Sequence, residues 1–317
     1  MAVRVRPGLL PSQEHWLWIE IFMPQISARS VLLPVLACCV AMACFQLGAA
    51  LAKKLFATIG PMGTATLRLL IGAGVLIVVT RPWRNWPARA PRLALLGLGI
   101  GVAGAIVFYY LAIDRLPLGI AMPVQFLGPL VLATVMSRGI MDLLWVALAA
   151  LGIWCLLGTG GANGHIDPVG ILFALGAALS WAIYILAGKA AGDALGSAAA
   201  PASLGIAAII LVPVGAVHGG TALLDPAILP LAILVAIVSA TIPFWLELYA
   251  MPRLPTRTFS VLMSLEPVFA VLFGLVMLGE HLSLVQTLGV ALVIGSSIGS
   301  VLTIREPGTA TGLPSLD

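Results

Sequence analysis

The stretch RLPLGIAMPVQFLGPL at residues 115–130 returns 138 residues later as RLPTRTFSVLMSLEPV at residues 253–268. Five of the sixteen positions are identical, namely the whole RLP tripeptide, one leucine and one proline. Both copies lie at matching places in a series of apolar segments, and a recurrence at a fixed spacing indicates an internal repeat. The sequence therefore predicts a duplicated fold.

The composition of the whole chain is that of a membrane protein. Hydrophobic residues make up 61% of the 317 residues and charged residues 9%, with a mean hydropathy of +1.12, whereas about one quarter of a soluble domain is charged. A bilayer core requires about 20 apolar residues per spanning helix. Ten segments of this kind lie at 31–51, 62–80, 93–113, 117–137, 142–159, 168–188, 198–218, 228–250, 257–278 and 284–303.

Ten segments and one duplication place five helices in each half. We expect residues 31–160 to form the first repeat and residues 167–303 the second. Because five crossings end on the opposite side of the membrane, the second copy enters the membrane inverted. The prediction is an all-α integral membrane protein with ten transmembrane helices in two inverted five-helix repeats, an arrangement that recurs in secondary transporters.

The basic residues predict the orientation of the chain, because Lys and Arg concentrate in cytoplasmic loops. Twelve of the sixteen basic residues fall on one side of the ten segments, and only Lys53, Lys54 and Arg115 fall on the other. Both termini are therefore predicted to be cytoplasmic. The net charge of +4 reflects this topology and does not indicate a nucleic-acid partner.

The two ends of the chain lie outside the predicted repeats. Residues 1–30 form an extension that is either an interfacial helix or the result of a start codon assigned too early, and we favour Met23 as the start. Residues 304–317 lack periodicity and are predicted to be a disordered cytoplasmic tail.

Two short motifs imitate enzyme signatures. Gly99, Gly101 and Gly104 match a dinucleotide fingerprint, but they lie inside an apolar segment rather than at a strand-to-helix turn. We interpret them as a small-residue packing face. Ser297 lies in a Gly-x-Ser-x-Gly pattern that has no histidine nearby in sequence. With no phosphate-loop or zinc motif either, we predict no enzyme activity, no cofactor and no metal.

Ionisable groups at membrane depth are costly and by default mark a pathway or binding site. Glu266 is the foremost candidate, because it lies in the middle of the ninth segment, directly before Pro267. That proline removes a backbone hydrogen bond and is expected to kink the helix. The alternative for Glu266 is a permanent structural ion pair with Arg68 or Lys189.

Other polar and aromatic residues are candidates for the same site, each with an alternative. Glu247 either belongs to the site or snorkels, and Gln125 either binds a polar ligand or makes a packing hydrogen bond between helices. Arg68 and the two nearby lysines are able to attract a carboxylate, although snorkelling also explains the lysines. Candidates for lining a cavity are the aromatic residues Trp181, Tyr184, Tyr109 and Tyr110, of which the last two also suit an interfacial belt.

Glu280 and its counterpart in the first repeat, Asp142, each lie at the start of a predicted segment. A carboxylate in this position suits the dipole of a helix N-terminus. We therefore expect both residues to cap the helices that follow them.

Several strings of residues resemble a known family. These are LPLGIA at 116–121, GPL at 128–130, WAIYIL at 181–186, LPTRTF at 254–259, SLEP at 264–267 and LGE at 278–280. They resemble the drug/metabolite transporter superfamily of the EamA type, and within it the bacterial inner-membrane exporters of threonine and homoserine. The resemblance covers residues 23–305. It implies ten helices, cytoplasmic termini and proton-driven efflux of small amino acids. The alternatives are an exporter of another metabolite or drug, a nontransporting scaffold, or a membrane-embedded enzyme.

The chain departs from that family at one position. The resemblance implies a glutamate before Phe126, where this chain has Gln125, so proton coupling is expected to fall on Glu266 or Glu247. The substrate's ammonium is expected near Glu266 and its hydroxyl near Gln125 or Ser264. The chain is expected to work as a monomer or a homodimer. The predicted substrate-binding residues are Glu266, Gln125, Trp181, Tyr184, Ser264 and Tyr110. The predicted structural or gating residues are Pro129, Pro267, Arg68, Glu280 and Asp142.

Overall fold

The computed structural model describes residues 28–86, 91–137, 140–158, 166–191, 195, 198–254 and 256–303. Within these ranges the chain is helical, as predicted, and contains no β-strand. The helices are α1 (Ala28–Thr80), α2 (Arg92–Arg115), α3 (Leu118–Gln125), α4 (Leu127–Ser137), α5 (Ile140–Gly158), α6 (Pro168–Ala191), α7 (Ala199–Gly219), α8 (Leu229–Ala236), α9 (Ile242–Ala250), α10 (Thr256–Met263), α11 (Glu266–Leu278) and α12 (Leu284–Thr303). The predicted N-terminal extension, except for its last residues, and the predicted tail lie outside the described residues.

Seven helical spans of the described residues are long and apolar enough to cross a membrane. They are Leu32–Thr80, Arg92–Arg115, Pro168–Ala190, Ala199–Leu224, Leu229–Glu247, Thr258–Leu278 and Leu284–Thr303. Two shorter apolar helices, Leu118–Leu132 and Leu143–Leu156, accompany them. The chain is therefore a multi-pass membrane protein.

The first of these spans contains a chain reversal at Gly60. Its 49 residues would extend about 70 Å as a straight helix, against about 30 Å for a bilayer core. Gly60 has φ 68° and ψ 170°, a conformation that residues with a side chain avoid. Gly48 and Gly72, twelve residues to either side of Gly60, both pack against the π-helical turn Ile237–Thr241. The chain therefore folds back at Gly60, and α1 consists of a first arm (28–59) and a second arm (61–80).

Two further interruptions occur at matching places in the sequence repeat. The chain leaves the helix at Phe126, between α3 and α4, and again at Ser264 and Leu265, between α10 and α11. Pro129 and Pro267 explain both breaks, because a proline cannot donate to the carbonyl four residues before it. Those carbonyls belong to the last residues of α3 and α10. The kink predicted beside Glu266 is confirmed.

The glycines of the apparent dinucleotide fingerprint form a packing face on α2. A methyl group added to Gly101 would crowd Tyr184, and one added to Gly104 would crowd Ser180, both on α6. Gly97, one turn before Gly101, faces Ala187, also on α6. A methyl group on Gly99 would instead overlap Ile206 of α7. Close approach of helix backbones at small residues is a common way to join membrane helices, and the prediction of a packing face is confirmed.

Candidate functional site

A chain of hydrogen bonds connects Glu266 to two other helices. Glu266 is the first residue of α11, and its Oε1 accepts a hydrogen bond of 3.1 Å from Gln46 Nε2, on the first arm of α1. Gln46 Oε1 in turn accepts one of 3.3 Å from Tyr109 Oη, on α2. Residues from both halves of the sequence therefore meet at this carboxylate.

The break in the chain places Glu266 at a helix N-terminus. There the carboxylate lies at the positive end of the α11 dipole. It is also near the end of α10, where the last carbonyl has no helical donor because Pro267 lacks an N–H. Gln46 is 1% exposed and Tyr109 is 7% exposed, whereas Glu266 is half-buried, so the carboxylate lies at the accessible end of the hydrogen-bonded chain. A charged or polar ligand is the kind of species that such a group of side chains recognises.

A second carboxylate lies in the same region. Glu247, on α9, lies within reach of the charge of Glu266, and its own charge acts on the Tyr184 hydroxyl and on the Cys38 thiol. Two negative charges in an apolar space repel each other strongly, because the low dielectric screens them little. A cation or a proton between them relieves that repulsion. Whether Glu247 takes part in transport stays a prediction.

Arg68 lies in the second arm of α1 and is 8% exposed. Its Nη2 donates a hydrogen bond of 2.7 Å to the carbonyl oxygen of Ser239. That carbonyl needs a donor from elsewhere because Pro243, four residues later, has no N–H. The guanidinium also lies over the Tyr110 ring, with Cζ 5.4 Å from the ring centroid.

Arg68 and Glu266 form no ion pair, although the arginine's charge acts on the carboxylate. Ion pairs of the described side chains include Lys53 with Glu280 and Arg115 with Asp167. The alternative of a permanent Arg68 to Glu266 pair is therefore wrong for this conformation. The carboxylate accepts a hydrogen bond from Gln46, and the guanidinium donates one to the carbonyl of Ser239.

Two predicted site residues have buried oxygens without hydrogen-bond partners. Gln125 is 5% exposed and its Oε1 has no partner among the described residues; the same holds for the hydroxyl of Tyr110, which is fully buried. The alternative of an interfacial belt is therefore wrong for Tyr110. The Gln125 oxygen makes no packing hydrogen bond to a described residue, and the choice between ligand binding and helix packing for this residue stays open. A buried polar atom without a partner costs about 1–3 kcal/mol, and it is free to bind a ligand.

The other predicted lining residues are positioned as follows. Trp181 and Tyr184 lie one turn apart on α6, with their rings edge to face and 5.2 Å between centroids. Ser264 is buried in the break before α11 and donates its hydroxyl to the carbonyl of Ser260 at 3.0 Å. Contact of these three side chains with a substrate stays a prediction.

The role predicted for Glu280 is wrong, because this residue does not cap the helix that follows it. Ser283 and Gln286 cap α12 with a reciprocal pair of hydrogen bonds of 2.9 and 3.2 Å, as in a capping box. Glu280 Oε2 instead accepts from the backbone N–H of Leu118, at the start of α3, at 2.8 Å. Its Oε1 pairs with Lys53 Nζ at 3.1 Å. Snorkelling is therefore also wrong for Lys53, which has a carboxylate partner. The side chain of Asp142 lies outside the described residues.

Comparison with known proteins places this chain in a family. The EamA-like transporter family matches residues 168–302. The threonine/homoserine exporter RhtA of Salmonella typhimurium (strain SL1344) is 46% identical over 276 residues, which cover 87% of this chain and 94% of the exporter. The chain belongs to the EamA-like transporter family. The RhtA exporter of Escherichia coli (strain K12) is 45% identical over the same shares.

Other transporters that resemble this chain are more distant. The uncharacterized transporter YwfM of Bacillus subtilis (strain 168) is 32% identical over 153 residues, which cover 47% of this chain and 51% of that transporter. A protein of known crystal structure shares the fold, with a TM-score of 0.54 and 20% identity, over 89% of this chain and 99% of that one.

Sequence reasoning missed Gln46, which bonds the foremost residue of this EamA-like transporter's site. The signal was present, because Gln46 is the only residue of segment 31–51 with a strongly polar side chain. A lone amide at membrane depth is costly unless it is hydrogen-bonded. Its partner lies 220 residues away in sequence, which is why the signal did not point to Glu266.

Proposed function

We propose that this chain exports small amino acids, with threonine and homoserine foremost, across the bacterial inner membrane. The observation that carries the proposal is the 46% identity to a threonine/homoserine exporter over 94% of that exporter's length. The polar site supports it, because a carboxylate held by a neutral amide is suited to bind the ammonium of an amino acid.

The proposed architecture is ten transmembrane helices in two inverted repeats, with both termini in the cytoplasm. The breaks at Phe126 and Ser264 lie 138 residues apart, which is the spacing of the sequence repeat. The reversal at Gly60 divides one of the seven long spans into two crossings, and the two shorter apolar helices supply the rest. The distribution of Lys and Arg supports the orientation.

Transport proceeds in this proposal by alternating access, in which the halves rock around a central site. The contact of Lys53 with Glu280, and that of Glu280 with the start of α3, join the two halves on the side predicted to face outward. These bonds close the outer side while the amino acid enters from the cytoplasm. They must open for its release.

Proton coupling is the finer part of the proposal. The incoming ammonium displaces the Gln46 amide from Glu266 and forms a charge-assisted hydrogen bond, which is stronger than a neutral one. On the outer side a proton from outside neutralises Glu266, and the ammonium loses its partner. Gln125 is unable to carry this proton, so the role falls on Glu266, with Glu247 as the neighbouring carboxylate.

The test is efflux of labelled threonine and homoserine from proteoliposomes that contain the purified chain, with and without an imposed proton gradient. We expect efflux that depends on both the protein and the gradient. Protein-dependent efflux that ignores the gradient would refute proton coupling but leave export intact. A folded preparation that moves neither amino acid would refute the proposed substrate.

A further inference from the structure

Arg68 is a buried cation whose hydrogen-bonding capacity is only partly used. A guanidinium carries five N–H donors, and one of its nitrogens binds the Ser239 carbonyl. Its Nε is buried and has no partner in the part of the chain that the structure describes. A buried charge is costly unless it is paired, so an anion that reached this guanidinium would stabilise it.

Tyr110 adds a second donor next to Arg68. Its ring contacts the guanidinium, the residue is fully buried, and its hydroxyl has no partner among the described residues. A carboxylate accepts several hydrogen bonds at once, and arginine binds it in a forked geometry. The two unused donors therefore have the chemistry of a carboxylate-binding subsite.

This subsite adjoins Glu266 without touching it. Tyr110 and Tyr109 are neighbours on α2, with ring centroids 6.5 Å apart, and Tyr109 is connected to Glu266 through Gln46. The positive and negative groups therefore lie in one region, where Arg68 is buried and Glu266 half-buried, yet each is left without a charged partner. A ligand that carries both charges is able to pair with both.

We propose that Arg68 and Tyr110 bind the carboxylate of a zwitterionic α-amino acid whose ammonium binds Glu266. This inference rests on the proposed function and specifies which atoms of the substrate are recognised. It predicts discrimination against compounds that have only one of the two charges, because each such compound leaves a buried charge unpaired. A lipophilic cation is a poor ligand of this site for the same reason.

Three probes separate the two subsites in binding measurements on the purified chain in lipid nanodiscs. Threonine carries both charges, threoninol lacks the carboxylate, and 3-hydroxybutyrate lacks the ammonium. For Arg68→Gln we expect the affinity for threonine and 3-hydroxybutyrate to fall about 10- to 100-fold and that for threoninol to be unchanged. For Glu266→Gln we expect the reverse pattern, in which threonine and threoninol are weakened.

Conservative and control variants distinguish recognition from folding. Arg68→Lys keeps the charge but loses the paired N–H donors of the guanidinium, so we expect it to bind threonine more tightly than Arg68→Gln does and less tightly than the unaltered chain. Tyr110→Phe removes only the hydroxyl, and a loss of about tenfold or less for threonine but not for threoninol supports the inference even if Arg68→Gln fails to fold. Arg115→Gln, which removes a cation that pairs with Asp167, should leave all three affinities unchanged.

The outcomes that overturn the inference differ from those that overturn the proposed function. If the unaltered chain binds threonine but Arg68→Gln and Tyr110→Phe weaken threonine and threoninol equally, or weaken neither, the carboxylate subsite is refuted and amino-acid export stands. If the unaltered chain binds threoninol as tightly as threonine, the subsite is refuted as well. If it binds neither threonine nor homoserine, the proposed function itself fails.

Discussion

The two broken helices carry the same backbone device but different chemistry. In the first half the chain breaks at Phe126, and in the second half at Ser264, with a proline three residues further on in each case. The repeat aligns Gly128 with Glu266. Gly128 lies so close to the carbonyl oxygen of Ala178, on α6, that an added methyl group would overlap it, whereas Glu266 reaches Gln46 on the first arm of α1.

This difference shows how a duplicated structure acquires one asymmetric site. The proline fixes where each helix breaks, because it removes a backbone donor irrespective of the neighbouring side chains. The residue just before the proline then determines which contacts form at the break. Glycine allows tight backbone packing in the first half, while glutamate places a charge at membrane depth in the second.

The largest expected effect comes from removing that charge. Glu266→Gln keeps the shape of the side chain but eliminates both the ammonium partner and the proton carrier, so we expect export of threonine to fall by about 100-fold or more. Proteoliposome efflux measures the rate, and circular dichroism with thermal unfolding checks that the variant is folded. A folded variant that exports normally would exclude Glu266 from the mechanism.

The next effect tests the packing role of the other break. Gly128→Ala inserts a methyl group against the Ala178 carbonyl, and we expect it to lower the free energy of unfolding by about 1–3 kcal/mol. Gly295→Ala is the matched control, because no atom lies within 4 Å of the added methyl group, and alanine is the better helix former. Unfolding in detergent measures both. Equal stability of the two variants would show that Gly128 has no special packing role.

A smaller change makes the two halves more alike. Gln125→Glu introduces a carboxylate beside the first break, where the existing amide oxygen has no partner. We expect the variant to fold with a stability reduced by about 1–3 kcal/mol and its export to depend on pH through a second titrating group. Efflux measured across a series of pH values tests this. A profile that matches that of the unaltered chain would mean that position 125 does not exchange protons with the pathway.

The smallest effect concerns the two RLP turns that define the repeat. Arg115 pairs with Asp167 at 2.8 Å, whereas Arg253 donates to the carbonyl of Tyr249 and stacks 4.0 Å from the centroid of its ring. The hydrogen bond from Arg115, followed by that from the Val169 N–H, holds the pKa of Asp167 below its usual value. The folded state therefore binds this proton less tightly than the unfolded state does.

It follows that the Asp167 carboxylate stabilises the fold fully above the ordinary pKa of aspartate, about 4, and progressively less as the pH falls through the lowered pKa. We expect Asp167→Asn to unfold slightly more easily than the unaltered chain at neutral pH, with a difference that shrinks on acidification. Thermal unfolding at several pH values measures this. A difference that grows in acid would contradict the sign of the argument.

The sequence predicted the helical fold and the kink beside Glu266, because long apolar segments and prolines act locally. Glu266 and Gln125 stood out because polar side chains are rare in apolar segments, and their part in substrate binding stays a prediction. What the sequence could not predict were contacts between distant segments. Gln46 binds a residue 220 positions away, and Glu280 caps α3 rather than α12. The packing of the helices determines which distant residues meet, and spacing along the chain does not predict that packing.

The opposite charges of Arg68 and Glu266 have an electrical consequence for the proposed cycle. Together they sum to zero, and so does a zwitterionic amino acid, so the loaded site crosses the membrane without electrical work. Once a proton replaces the amino acid, the pair of Arg68 and Glu266 carries one positive charge, which is worth about 2.3 kcal/mol per 100 mV. A membrane potential that is negative inside therefore draws the empty, protonated carrier back towards the cytoplasm. The voltage acts on the return of the protein and not on the outward movement of its cargo.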